Sequence, residues 1–293
     1  MITRDDAARL SRREAFLSRQ ERFRSVPSTN DIVRTWMTDG TPEVCLAVAA
    51  EQTAGRGRSG RSWVGPSGAA LLLSLGFEPR YVEPDRLWRL AAIVALAMAD
   101  AGEEVAGLPG GMLQLKWPND IVVAAPDIPA GVRKVAGVLG ESEGAGTATV
   151  RAVVGIGVNA DWPRDQFPAE LAETMSSLRE ASRGRPIDSE ALLDEFLVRL
   201  EPRLVALRDG HFDVAGWHSR QITTGRYVSI DMPDGSTQAA RAVGVDGATG
   251  ALIVEDADGE RELLVGEVAR VRLDEAAAQG AAGADSDLRG VTQ

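Results

Sequence analysis

The chain has 293 residues, 44% apolar and 26% charged, an ordinary balance for one large domain or one domain with a small companion. A formal net charge of −11 argues against a general nucleic-acid binder, whose affinity for phosphate backbones depends on clustered Lys and Arg. Cys45 is the single cysteine, which excludes an internal disulfide and a cysteine-based zinc site.

Residues 1–24 read as a charged helical extension with a weak apolar stripe of Leu10, Phe16, Leu17 and Phe23. Ser28-Thr29-Asn30-Asp31 marks a helix start, with hydroxyls able to cap and Asp31 near the positive helix end. Val44–Ala50 and Ala69–Leu75 are apolar runs bounded by turn residues, the pattern of buried strands. Pro84–Ala101 carries helical spacing in Leu87, Leu90, Val94 and Met98. The longest apolar stretch, Leu87–Ala101, is broken by Arg89 and falls short of the roughly 18–20 residues that cross a bilayer. The N-terminus is charged and lacks the apolar centre of a signal peptide. With the lone cysteine, these features predict a cytoplasmic protein.

Gly102–Met112, rich in glycine, reads as a loop. Leu113–Trp117 then predicts a strand, Pro118-Asn119-Asp120 a turn, and Ile121–Ala124, Lys134–Glu141 and Ala148–Asn159 further strands. Segment 163–187 is loop-rich. Asp188–Leu207 is helical, with Leu192, Leu193, Phe196, Leu200 and Leu204 on its apolar face. Beyond about residue 220, short strand signals recur at Arg226–Met232, Ser236–Val245, Gly250–Glu255, Arg261–Leu264 and Val268–Leu273, which suggests a small β-barrel. The expected organisation is an extension over 1–24, a main domain over 25–220, a barrel over 221–274 and a disordered tail over 275–293.

The most telling segment is Gly55-Arg56-Gly57-Arg58-Ser59-Gly60-Arg61, directly after an apolar strand. Glycines let a backbone bend closely around a ligand, and arginines supply charge and planar donors. Backbone N–H groups and guanidinium forks both suit phosphate and carboxylate. A local positive loop within an acidic chain fits a pocket for a small anion better than a face for a polymer.

Extended to Glu51–Trp63, this segment resembles the biotin-loop signature of biotin–protein ligases. Lys116-Trp117-Pro118-Asn119-Asp120, Arg133-Lys134-Val135-Ala136-Gly137-Val138-Leu139 and Gly155-Ile156-Gly157-Val158-Asn159 resemble that family's other signatures, in order and with similar spacing. The resemblance spans roughly residues 25–273. It implies an α+β fold: a mixed sheet flanked by helices, related to class II aminoacyl-tRNA synthetases, followed by an SH3-like barrel. It also implies a reaction. Biotin and ATP give biotinyl-5′-AMP and pyrophosphate, and biotin then passes to a lysine of a biotin carboxyl carrier protein domain. Some members carry an N-terminal DNA-binding domain; the stretch ahead of Ser28 is shorter than such a domain, so a ligase without repressor function is expected. A monomer or weak dimer, with no nucleic-acid or membrane partner, completes the expectation.

By the same resemblance, Arg58 and Lys134 carry the chemistry. Ser28, Thr29, Gln52, Gly55, Arg56, Arg58, Gly60, Lys134, Gly137 and Gly157 would bind biotin. Arg56, Arg58, Arg61, Trp63, Lys116, Asn119, Lys134 and Asn159 would bind ATP or the adenylate. The residue types suit the task. Bringing a carboxylate to a phosphate needs fixed cationic donors, and an acyl-adenylate needs water kept away. A neutral ureido ring needs neutral donors and acceptors. Asp120 could ligate Mg²⁺ bridging the ATP phosphates. Blander readings stand beside these. Ser28 and Thr29 are also a plain helix cap, Lys134 a surface lysine opening a strand, Asp120 a turn residue and the glycines β-bulges. Trp117 is core or ligand contact, and His211 and His218 are ordinary surface or boundary residues. The competing functions are a lipoate or octanoyl ligase of the same fold, and a nucleic-acid-binding module using the arginine loop.

Overall fold

In the computed structural model, which describes residues 15–63, 65–265 and 270–273, seven strands form one mixed sheet. In chain order they are β1 (Arg19–Phe23), β2 (Cys45–Ala49), β3 (Ala70–Phe77), β4 (Gln114–Lys116), β5 (Asp120–Ala124), β6 (Val132–Glu143) and β7 (Arg151–Asn159). Their spatial order is β1-β2-β3-β7-β6-β5-β4. Only β1 and β2 run parallel; the other neighbours are antiparallel. All eight residues of β3 are buried, because helices cover both faces of the sheet centre.

Helix α1 (Thr29–Thr38) lies over one face, where Val33 and Met37 meet Cys45 beside Gly76. Helix α2 (Trp88–Ala106) lies on the other, over Leu71, Leu73, Leu75, Val154 and Ile156, and α4 (Ser189–Arg208) packs against it. Two shorter helices are α3 (Leu178–Ala181) and α5 (Val214–Ser219). Each fully buried Leu or Phe in this core stabilises by about 1.5–3 kcal/mol relative to exposure.

Five antiparallel strands form a second sheet: β8 (Tyr227–Asp231), β9 (Thr237–Val245), β10 (Leu252–Asp256), β11 (Gly259–Leu263) and β12 (Arg270–Leu273), in the order β11-β10-β9-β8-β12. This agrees with the five strands read from sequence and is consistent with an SH3-like domain. It is bolted to the β4–β5 turn. Trp117 donates its backbone N–H to Thr223 Oγ1 (2.9 Å) and its indole N–H to the Gly250 carbonyl (3.0 Å). Trp117 is therefore core, 2% exposed.

Two expectations are overturned. The charged extension is not helical throughout, since Arg19–Phe23 is an edge strand paired with β2. Arg19 stacks on the Trp36 ring at 4.0 Å and Phe23 sits 6.1 Å from it, so alternate residues face α1. Charged side chains suit an edge strand, where they discourage further pairing. Gly102 does not open a loop either. The helix runs on to Ala106 and closes at Gly107, whose φ is +57°. Gly102 is there for close packing, since a Cβ would lie 2.8 Å from Leu113 Cδ1. The expected tail over 275–293 lies outside the described residues, as does Leu10. His211 and His218 are exposed.

Candidate active site

The glycine–arginine loop folds as a small hairpin. Gly57 N–H donates to the Arg61 carbonyl (2.7 Å) and Trp63 N–H to the Gly55 carbonyl (2.9 Å). Ser59 (φ +55°) and Gly60 (φ +71°) form its left-handed tip. Gly55 is buried against the returning strand, where a Cβ would sit 2.6 Å from the Trp63 carbonyl. Arg56 forks onto Asp31 through both Nη atoms at 2.7 Å. Arg58 Nη2 donates to the Val265 carbonyl (2.7 Å), so the loop touches the segment that follows β11. Arg61 Nε donates to the Arg58 carbonyl (3.2 Å). An open cavity of about 690 Å³ lies beneath the loop, bounded also by Leu139, Glu141 and Val265.

At the start of α1, Ser28 is the N-cap residue but its side chain does not cap the helix. Gln52 takes that part from outside: its Oε1 accepts the Thr29 N–H (2.7 Å) and the Thr29 hydroxyl (3.0 Å). Below, Ser74 Oγ lies 2.7 Å from Thr29 Oγ1 and 2.6 Å from Asn30 Oδ1, which share its one proton. Asn30 Nδ2 donates to Glu141 Oε2 (2.6 Å). Ser28, Thr29, Asn30 and Ser74 are all buried. Such a connected neutral network suits a ligand group with both donors and acceptors.

Lys134 reaches this face by an irregularity. Gly137 and Glu141 of β6 point to the α1 side, and a regular strand would turn Lys134, three residues from Gly137, the other way. The pairing of β5 with β6 shifts register between Ile121 and Val122. This bulge brings the ammonium back over Gly137, where a Cβ would meet Nζ at 2.8 Å. Lys134 Nζ pairs with Asp120 Oδ1 at 2.5 Å, and Lys116 Nζ stands 4.0 Å from Asp120 Oδ2. Burial pushes the Asp120 carboxyl up, but Lys134, Lys116 and Arg61 outweigh it and hold it below its ordinary value. Burial, with Lys134, Arg270 and Arg61 nearby, pulls Lys116 down to about 8, against the opposing pull of Asp120. Lys116 also donates to the Val271 carbonyl (2.7 Å).

Asp120 therefore sets one negative charge against two ammonium groups, and a single carboxylate holds Mg²⁺ only together with substrate phosphates. Among the described residues no group of three His, Cys, Asp or Glu side chains could hold a metal ion. Asn119 ties the turn to β6, its Nδ2 donating to the Val138 carbonyl (2.7 Å). Asn159 Nδ2 donates to the Ser176 carbonyl (2.9 Å). Both keep a side-chain oxygen for a ligand. A second cavity of about 250 Å³ runs from Arg58, Lys116, Asn119 and Asp120 toward the apolar wall of Trp88 and Trp117.

Trp63 lies across the floor of the site. Positions where Cβ atoms of Gly157 and Gly137 would stand are 2.4 Å and 3.1 Å from its ring, so the ring as placed needs glycine at 157 and leaves a Cβ at 137 only a tight fit. Lys134 Nζ sits 5.2 Å from the ring centroid. The indole Nε1 is buried with no hydrogen-bond partner among the described residues. Gly155 makes room for Asn30 instead, whose Oδ1 would lie 2.2 Å from a Cβ there.

The site thus brings together Ser28, Thr29, Gln52, Trp63, Lys134, Asp120, Gly137 and Gly157, with Arg56, Arg58 and Arg61 on its rim. Sequence reasoning missed Ser74 and Glu141, and saw Asp31 only as a helix-start residue. One signal was available: Ser74 is the lone polar residue in the apolar run Ala70–Phe77. Asp31 and Glu141 join the site only through α1 and β6 packing.

Residues 22–159 match the Biotin/lipoate A/B protein ligase family. The chain is 30% identical over 204 residues to a Mycobacterium tuberculosis protein named biotin–[acetyl-CoA-carboxylase] ligase, covering 69% of this chain and 70% of that one. It is 28% identical to the bifunctional ligase/repressor BirA of Bacillus spizizenii, covering 83% of this chain and 71% of that one. A biotin protein ligase from Aquifex aeolicus, solved in complex with biotin and ATP, superposes with a TM-score of 0.71 at 26% identity, over 87% of this chain and 99% of that one. With four motifs gathered on one sheet face and relatives covered over most of their length, the chain belongs to the biotin/lipoate A/B protein ligase family.

Proposed function

We propose that this protein is an ATP-dependent biotin–protein ligase that makes biotinyl-5′-AMP and passes the biotinyl group to one lysine of a biotin carboxyl carrier domain. The observation that carries this reading is the convergence of Lys134, over the Gly137 floor, with the rim of arginines at residues 55–61. The name of the M. tuberculosis relative and the ligands of the A. aeolicus protein support the choice of biotin and ATP.

In the first step a biotin carboxylate oxygen attacks the α-phosphorus of ATP, and the bond from that phosphorus to pyrophosphate breaks. Two anions must approach, so Lys134 and Arg58 supply fixed positive charge where negative charge gathers. Thr29, Gln52 and Ser28 hold the ureido end, and Trp63 moves off the glycine floor to admit the ligand. In the second step a carrier lysine, as the free amine, attacks the acyl carbon. AMP leaves, and the amine gives up a proton. The loop over residues 55–61 covers the mixed anhydride between steps and limits its hydrolysis. Magnesium arrives on the triphosphate as part of the substrate, and Asp120 holds Lys134 in place.

The test is incubation with biotin and MgATP, following pyrophosphate release and looking for retained biotinyl-AMP by mass spectrometry. Release with lipoate and none with biotin would transfer the assignment to lipoate ligation. A purified carrier domain gaining the biotinyl mass on one lysine tests the second step.

A further inference from the structure

Every arginine of the loop rests on a protein oxygen. Arg61 and Arg58 contact backbone carbonyls, at 3.2 Å and 2.7 Å. Arg56 is held by a full charge. Its two Nη groups meet the two carboxylate oxygens of Asp31 at 2.7 Å each, the bidentate geometry a guanidinium offers any carboxylate.

The surroundings fit a contact that can be given up. Arg34 Nη1 also donates to Asp31 Oδ1 (2.6 Å), and Arg34 Nη2 to Glu141 Oε2 (2.8 Å). Glu141 has Asn30 Nδ2 as a further donor (2.6 Å), with Arg56 Nη2 more distant at 3.8 Å. If Arg56 turns to another anion, Asp31 keeps Arg34, and Glu141 keeps Arg34 and Asn30. No carboxylate is stranded. The pair is also partly exposed, with side-chain accessibilities of 38% for Arg56 and 43% for Asp31, so its strength is modest and exchange is feasible. Arg56, ahead of Arg34, holds the Asp31 carboxyl below its ordinary value, so Asp31 is an anion at neutral pH.

We propose that Asp31 is a resident stand-in for the substrate carboxylate: it occupies the fork of Arg56 in this structure and yields that guanidinium when the acid binds. This rests on the reading that the cleft takes biotin through its carboxylate. Asp31 is then a positioning residue whose competition sets how strong an anion must be to engage the loop.

The experiment is calorimetric titration of the full chain, without nucleotide, with biotin and with its uncharged primary amide. Wild type, Asp31→Asn and Asp31→Glu are compared. Asp31→Asn should tighten biotin by about 2–5-fold, the scale of an exposed ion pair. It should leave the amide unchanged, and Asp31→Glu should bring biotin back toward wild type. If Asp31→Asn weakens both ligands alike, or moves neither, Asp31 only shapes the loop and the proposal falls alone. Wild type binding neither ligand would overturn the functional reading and the proposal together.

Discussion

Lys134 Nζ and Asp120 Oδ1 stand 2.5 Å apart on neighbouring strands, and the β5–β6 register shift is what lets them meet on the site face. The lysine is thereby held over Gly137 before any ligand arrives, so little reorganisation is needed when the phosphate comes. Lys134→Ala should lower the adenylation rate by about 10²-fold or more, the usual cost of losing one preorganised donor. Asp120→Asn should act more weakly on rate but also destabilise the fold by about 1–3 kcal/mol. That is less than a fully buried pair, because Lys134 is one-third exposed, with a side-chain accessibility of 33%. Pyrophosphate release and urea melts separate the two effects. An unchanged rate in Lys134→Ala would return this residue to a surface role.

Trp63 occupies the glycine floor, its indole N–H buried and without a hydrogen-bond partner among the described residues. A ligand seated over Gly137 and Gly157 must displace it. Biotin binding should therefore change the tryptophan emission, and Trp63→Phe should remove most of that change although five of the six tryptophans remain. A variant that keeps the full signal would mean the ring stays where it is.

Arg58 joins the loop to the segment that follows β11 through the Val265 carbonyl, and burial lowers its pKa, as does the nearby Arg61. A desolvated guanidinium gains when an anion reaches it. Arg58→Gly should leave adenylation partly intact but let biotinyl-AMP escape sooner. The check is the half-life of the protein-bound adenylate after removal of free ligand. Retention equal to wild type would deny Arg58 its gripping role.

Much of this was legible in the chain because it rests on local pattern. The apolar runs Cys45–Ala49 and Ala70–Phe77 and the leucine-spaced helix Ser189–Arg208 follow from burial and periodicity alone. The five strands of the second sheet follow from their turns. Pairing across distance was not legible. Arg19–Phe23 becomes a strand because β2 lies open beside it and Trp36 offers a surface, neither of which is written in those five residues. Gly102 looked like a breaker, yet it serves a contact with Leu113 and Leu178. In the site, signatures marked residues that the fold gathers around the glycine floor. They did not mark Asp31, Ser74 and Glu141, which hold those residues in place through the packing of α1 on β3 and β6. Nor did spacing reveal the bulge that aims Lys134.

Lys116 offers the clearest pH signature. Its side chain is only 15% exposed, and burial, reinforced by Lys134, Arg270 and Arg61, lowers its pKa from an ordinary 10.5 to about 8 despite Asp120. As pH rises through about 8 the folded chain loses this charge, whereas an ordinary lysine keeps it beyond 10. If Lys116 meets ATP phosphate, the KM for ATP should rise by roughly tenfold between pH 7 and 9, the scale of one charge-assisted hydrogen bond. Lys116→Met should show the weaker affinity already at pH 7 and no further step near 8. Stability moves the opposite way. Between about 8 and 10.5 the unfolded chain binds the proton that the folded chain has released, so the fold gains stability as pH rises through that window. Melting curves at pH 7.5 and 9.5 should show this gain in the wild type relative to Lys116→Met. A KM for ATP that stays flat across the range in wild type would remove Lys116 from the nucleotide and leave it as the tie between β4 and the Val271 carbonyl.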